Sequence, residues 1–253
     1  MITQSLIKHI RSLRMKKFRD EHRQYIAEGP KIIGELLECK HPVVFLLARK
    51  EWIENNQAIL VTCNAEIIGV NEKELSKISC LSAPNQVLAV LNIPDSIELS
   101  FDNYKGITLV LDQISGPGNL GTIIRTADWF GIKNIICSGN CVELYNPKVI
   151  QATMGSFLRV NIFYSDLEKI LLKIQGKVNV YGTYTDGIEL HKTKKEKNSF
   201  IIIGNESKGI SSGLEKYINS KIAIPVRSKG DALHAESLNA SVAAALICYE
   251  FTK

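Results

Sequence analysis

The chain has 253 residues, of which 45% are apolar and 23% charged, an ordinary balance for a soluble globular protein with room for one large or two small domains. No apolar run reaches bilayer length, and the basic N-terminus lacks the apolar core and cleavage site of a signal peptide, so a cytoplasmic protein without a membrane partner is expected. Six cysteines are scattered with no C-x-x-C and no paired histidines at ligand spacing, which predicts reduced thiols and no metal. The net charge of +5 sits wholly in residues 1–31, where eight Lys/Arg face three acids. That cluster suits a polyanion such as RNA, with Arg11, Arg14, Lys16, Lys17, Arg19 and Arg23 as candidate contacts. Charge alone leaves a merely solvated helix face equally open.

Apolar residues at 2, 6, 7, 10 and 13 have helical spacing. QYIAEG (24–29) reads as a strand turning at Gly29-Pro30 into the helix KIIGELLE. VVFLLA (43–48), EIIGV (66–70) and QVLAVL (86–91) read as strands separated by helical segments near 49–56 and 71–78, which makes a small α/β unit. Breakers at Pro94, Asp95, Asp102, Asn103 and Gly106 then interrupt the pattern. We expect domains over 1–95 and 107–253, joined by a linker at 96–106.

The second half alternates. Strands are expected at 107–112, 134–138, 159–163, 178–183, 200–204 and 221–225, with helices at 119–130, 146–155, 165–175, 211–218 and 237–252. Near-continuous apolar strands such as FIIIG between helices predict a parallel sheet covered on both faces. HKTKKEKN (191–198) reads as a charged surface loop.

Three motifs carry chemistry. In SGPGNLGTIIRTADWFG (115–131), residues 116–121 form G-x-G-x-x-G after a strand and before a helix, the dinucleotide-binding pattern. The context contradicts a nicotinamide oxidoreductase. The following strand, NIIC (134–137), ends in Ser138-Gly139-Asn140 without the acid that would hold a ribose, and Pro117 removes an N–H from the loop. The stretch offers Asn119, at a potential helix N-cap, and Arg125 among Ile123, Ile124, Ala127 and Phe130. Arg125 could clamp a phosphate or pair with Asp128. In IIIGNESKGIS (201–211), glycines flank Glu206 where a buried strand ends, which permits close backbone approach to a ligand; Glu206 could equally cap the next helix. In IAIPVRSKGDALHAESLNASVAAALICYE (222–250), a strand ends at Pro225 and Ser237-Leu238-Asn239 opens an alanine-rich helix, with Ser237 a plausible N-cap.

Taken in order, N-L-G-x-x-x-R-T-A-x-x-F-G, G-x-E-x-x-G-I-S and I-P…E-S-L-N-x-S-V-A resemble the SpoU family of the SPOUT superfamily across 107–253. KKFRDEHRQYIAEGPKIIGELL more loosely resembles that family's N-terminal RNA-binding domain. The resemblance implies an α/β protein with a C-terminal trefoil-knotted parallel-sheet domain, an S-adenosylmethionine cofactor, and methyl transfer to an RNA ribose 2′-hydroxyl. It implies that Gly204, Ile224 and Leu238 line the cofactor site through backbone atoms, with Thr183, Gly209, Pro225 and Ser237 close by. Asn119, Arg125, Glu206 and Asn239 would form the reaction centre. It also implies a homodimer through the knotted domain, with Arg125 serving a cofactor held by either subunit. The segment 226–236 is longer than the family's usual loop, so Leu233 or His234 could replace a contact assigned to Leu238. An N-terminal RNA-binding domain favours ribosomal RNA over tRNA; a tRNA methyltransferase and a catalytically silent RNA-binding protein are the alternatives.

Overall fold

The structure is a computed structural model that describes residues 2–95, 105–226 and 236–253. The first elements are α1 (Gln4–Ser12), α2 (Lys16–His22), β1 (Gln24–Glu28), α3 (Pro30–Glu38), β2 (Val43–Ala48), α4 (Lys50–Asn55), α5 (Gln57–Leu60), β3 (Glu66–Gly69), α6 (Glu72–Ile78) and β4 (Val87–Asn92). There follow β5 (Ile107–Leu111), α7 (Pro117–Trp129), β6 (Asn134–Cys137), α8 (Pro147–Thr153), β7 (Asn161–Tyr164), α9 (Leu167–Ile174), β8 (Asn179–Glu189), β9 (Ser199–Ile203), α10 (Ser212–Glu215), β10 (Ser220–Ala223) and α11 (Ala240–Thr252). They form two compact units, Met1–Ser96 with Glu143–Leu158, and Ile97–Val142 with Arg159–Lys253. The expected division gave all of 107–253 to the second domain; in the structure α8 and its flanks group with the first unit, where α8 packs on β1.

The first unit has a four-stranded sheet in the order β1-β4-β2-β3, with β4 antiparallel to β1 and β2 and β3 parallel to β2. The helical stripe foreseen in the first residues buries Ile7, Ile10 and Leu13 against Leu47, Leu88 and Val90. Thr3 caps α1 by accepting Leu6 N–H at 3.2 Å, and Asn71 with Glu74 forms a capping box on α6. The short helix α2 carries no apolar period, because its one buried side chain is an arginine.

The second unit has six parallel strands in the order β10-β8-β9-β5-β6-β7. Every residue of β9 is buried, as its unbroken apolar run requires. Strand β8 runs past its expected end. Ser220 and Lys221 pair with Tyr181 and Gly182, whereas Ile222 and Ala223 pair with Ile188 and Glu189, so 183–187 leaves the ladder. Gly187 makes this possible: a Cβ there would lie 2.6 Å from the Ile222 carbonyl carbon. Two helix starts also differ. Helix α7 begins at Pro117, whose missing N–H costs nothing in a first turn, so Asn119 lies inside the helix and is not its cap. Helix α11 is capped by Asn239, two residues beyond Ser237. Among the described residues no helix is long and apolar enough to cross a membrane.

Candidate active site at the carboxyl edge of the parallel sheet

In a parallel sheet all strands end at one edge, and the segments leaving that edge form the usual ligand crevice. Here the residues after β5, β9 and β10 and the entry to α11 bring in the predicted positions. Asn119 Nδ2 donates to Glu206 Oε1, and Asn239 Nδ2 donates to Asn119 Oδ1 at 2.9 Å. Ala240 N–H points at the same Glu206 oxygen at 3.4 Å, and Ser237 Oγ donates to the Glu206 carbonyl at 3.2 Å. Asn239 Oδ1 meanwhile takes Ser241 N–H at 3.0 Å and Val242 N–H at 3.4 Å, which fixes its amide orientation. The three sequence motifs therefore meet in one Asn–Glu–Asn network. Glu206 is held by side chains from two other motifs and does not cap its own helix.

The loop carrying Glu206 is built from glycine. Asn205 and Gly209 exchange backbone hydrogen bonds of 3.0 and 2.9 Å, and Gly209 has φ +69°. A Cβ on Gly204 would lie 2.4 Å from the Gly209 carbonyl carbon, so the position admits only glycine. Asn205 Oδ1 accepts the N–H groups of Ser207 and Lys208 at 3.0 and 3.1 Å.

Two anchors were absent from the sequence reading. Gln113 adopts φ +57°; its N–H donates to Ser138 Oγ at 2.9 Å, its carbonyl accepts Asn205 Nδ2 at 2.9 Å, and its side chain donates to Ser211 Oγ at 2.8 Å. Buried Asp112 accepts Ser211 N–H at 2.8 Å. Their signal was visible: a polar pair, Asp112-Gln113, directly after an apolar strand. Beneath this loop, Cys141 Sγ accepts Ile114 N–H at 3.2 Å. The Cys137 thiol, together with Ser138, holds the Cys141 thiol down to about 7, while Cys137 itself is pushed well up.

Gly204 and Ile224-Pro225 follow β9 and β10, and Thr183 lies within neighbouring β8, at the start of the stretch that leaves the ladder. Leu238 is 45% exposed beside Asn239. Such a surface of strand-end backbone, small residues and an uncovered leucine, with no lysine or arginine among these positions, fits a neutral nucleoside carrying a cationic sulfonium. Leu233 and His234 lie outside the described residues.

Arg125 is not drawn into the network. Six residues beyond Asn119, it projects from another side of α7, and it is exposed with Thr122 and Trp129. The pairing with Asp128 does not form, because Asp128 takes Arg159 Nε at 2.8 Å; among the described residues Arg125 has no ion pair.

The basic candidates of the first unit divide sharply. Arg19 is 2% exposed, donates to the Leu13 carbonyl at 2.7 Å and pairs with Glu143, so it is an internal strut and leaves the RNA-contact set. Arg14 donates to the Ser79 carbonyl at 2.6 Å and Arg23 to the Pro94 carbonyl at 3.2 Å, yet both remain exposed. Arg11, Lys16 and Lys17 face solvent, with Lys16 bound to Asp20 at 2.6 Å.

Two family models match the chain: the SpoU rRNA Methylase family over residues 106–249 and the MRM3-like substrate binding domain over residues 4–89. The 23S rRNA (guanosine(2553)-2′-O)-methyltransferase of Bacillus subtilis (strain 168) is 27% identical over 247 residues, spanning 96% of this chain and 94% of that protein. An AdoMet-bound rRNA methyltransferase from Sinorhizobium meliloti is 30% identical with a TM-score of 0.85, covering 99% of this chain and 95% of that one. A TrmH-family protein from Porphyromonas gingivalis is 32% identical with a TM-score of 0.83, covering 99% and 98%.

Proposed function

Since the chain belongs to the SpoU rRNA methylase family, we propose that it transfers a methyl group from S-adenosylmethionine to a ribose 2′-hydroxyl of ribosomal RNA. The observation that carries this reading is the Asn119–Glu206–Asn239 network, which joins all three motifs at the sheet edge. When bound, the cofactor supplies an activated methyl group; the chain supplies position, charge and a proton acceptor. Gly204, Ile224 and Leu238 hold the cofactor through backbone atoms, with Thr183, Gly209, Pro225 and Ser237 around them. Glu206 Oε1 is occupied by Asn119 and Ala240, which leaves Oε2 to accept the ribose proton directly or through a substrate phosphate. A guanidinium stays protonated, so Arg125 clamps phosphate and draws charge from the hydroxyl; it is not the base.

The resemblance implies a knot formed by threading of the C-terminal motif through an earlier loop. The active form is a homodimer through this domain, in which Arg125 serves the partner's cofactor. Two features support it: Arg125 stands apart from its own network, and Val242, Leu246 and Tyr249 form an exposed stripe on α11, 42–55% open, while Trp129 on α7 is 84% open. Such a stripe is the self-complementary surface a two-fold interface uses. Ribosomal RNA is favoured over tRNA because residues 4–89 match the MRM3-like substrate binding domain. The same reading puts the enzyme in the cytoplasm with its RNA. A catalytically silent RNA-binding protein would have no need of the intact Asn–Glu–Asn network.

The test is single-turnover methyl transfer to rRNA and to tRNA, with 2′-O-methyl mapping of each. Transfer to rRNA that Arg125→Ala abolishes, with S-adenosylhomocysteine affinity retained, is the expected result. Transfer to tRNA alone overturns the substrate; normal transfer by the variant overturns the role of Arg125.

A further inference from the structure

The first unit contains an open groove of about 740 Å³ that the transfer reaction does not use. It lies where β1, β2 and β3 begin, beside the first turns of α1, and its floor is Phe45 and Ile68, which pack on the core without being covered. The rings of His9 and His22 line one wall, and Phe18 neighbours His22 on α2 outside the lining. Phe18 lies nearly parallel to His22, with centroids 6.3 Å apart at 13°, and His22 meets His9 edge-on at 4.8 Å. Hydrogen-bonding groups sit beside the rings. Gln24 Oε1 is 2.8 Å from His9 Nε2, its Nε2 donates to Asn92 Oδ1 at 3.2 Å, and the amide keeps one hydrogen and one lone pair spare. Exposed Glu66 stands at the rim as an acceptor.

We propose that this groove holds an unpaired nucleobase of the RNA substrate, stacked on the His22 ring and read at its edge by Gln24 and Glu66. Ring stacking beside cations is how proteins hold single-stranded RNA. Cations stand on the two helices that flank the groove: Lys17 Nζ lies 5.7 Å from the Phe18 ring, and Lys8 and Arg11 are exposed on α1. Glu66 is the one acid among the residues lining the groove, so it selects against an anion inside and for a base bearing an exocyclic amine, since a carboxylate accepts from such a group. A polypeptide would also fit an apolar floor, but the basic surround favours the polyanion. This proposal rests on RNA being the substrate.

The experiment is fluorescence anisotropy with a short labelled single-stranded RNA of mixed sequence, and with the same strand carrying abasic sites. His22→Ala is expected to weaken binding of the intact strand about five- to tenfold, the lower part of the range for one stacked base. The slope of affinity against salt stays unchanged, because no phosphate contact is lost. His22→Trp, which restores a stacking face, recovers the affinity, and abasic RNA binds the parent protein as weakly as intact RNA binds His22→Ala. Unchanged affinity in His22→Ala, as a polypeptide groove would give, overturns the proposal. Equal binding of abasic and intact RNA, or a flattened salt slope, overturns it too. Methyl transfer by the parent protein is measured alongside: its absence with stacking intact counts against the proposed function and leaves the groove standing.

Discussion

The carbonyl of Gln113 accepts a hydrogen bond from Asn205 Nδ2 at 2.9 Å, and this latches the turn after β5 to the glycine loop that carries Glu206. The carbonyl is aimed there by a left-handed backbone, φ +57°, which glycine adopts freely and a β-branched residue resists. Gln113→Gly keeps that backbone and loses only the side-chain bond to Ser211, worth about 1 kcal/mol. S-adenosylhomocysteine affinity should fall about fivefold, in line with that loss. Gln113→Val adds roughly 1–2 kcal/mol of backbone strain and should lower both affinity and the unfolding midpoint. Calorimetry on both variants decides the matter; equal affinities across parent and variants would remove Gln113 from any positioning role.

Which parts of this molecule were legible in the sequence follows from what each part must bury. Strand β9, buried at every residue, and α1, buried on one stripe, announce themselves through apolar period. Glu206, Asn119 and Asn239 were grouped through the resemblance of three ordered motifs to one family, and the structure joins their side chains by hydrogen bonds. Helix α2 was not, since its single buried side chain is Arg19 and its partner Glu143 lies far along the chain. Gln113 was missed for a related reason: its three bonds run to Ser138, Asn205 and Ser211, and none is local. Arg19 looked like its basic neighbours because sequence records charge and not the direction in which a side chain points.

That difference separates two kinds of arginine experimentally. Arg19→Ala removes one partner of a buried pair and strands Glu143, a loss on the order of 3–5 kcal/mol. Its unfolding midpoint should drop while the salt dependence of RNA binding, measured below that midpoint, is preserved. Arg11→Ala and Lys17→Ala should do the reverse, each reducing the slope of log affinity against log salt by about one. If Arg19→Ala instead flattens the slope with normal stability, its burial is not what governs it.

Stability should depend on pH through Cys141. Its folded value of about 7 lies below the ordinary 9.0, chiefly because the Cys137 thiol donates to it, so folding favours the thiolate. Between those values the unfolded chain holds one more proton, and stability rises with pH. The contribution is full above the ordinary value and is lost as pH falls through about 7. Cys137, raised by the same pairing and by burial, works oppositely above the ordinary thiol value, so the gain peaks between the two. His41, lowered by burial, titrates below this window. Urea midpoints at pH 7 and pH 8.5 should therefore rise in the parent and stay level in Cys141→Ser; parallel behaviour of the two proteins would count against a thiolate under the Ile114 turn.

The separation of Arg125 from the Asn119–Glu206–Asn239 network leads to a test that needs two defective proteins. Gly204→Ala drives a Cβ to 2.4 Å from the Gly209 carbonyl carbon and should open the Asn205–Gly209 bridge, so that protein no longer binds cofactor. Arg125→Ala should bind cofactor normally and transfer nothing. If each arginine serves the site of the other subunit, a mixed dimer has one Gly204→Ala subunit whose Arg125 is intact. It faces an Arg125→Ala subunit whose cofactor pocket is intact, and together they make one complete centre. Mixing the two inactive proteins under exchange conditions should then restore methyl transfer. Leu246→Asp, which places a carboxylate in the exposed α11 stripe, should abolish both the dimer in light scattering and the restored activity. A mixture that exchanges subunits and stays inactive means that Arg125 works within its own chain, and α7 must then bend or turn to bring it to Glu206.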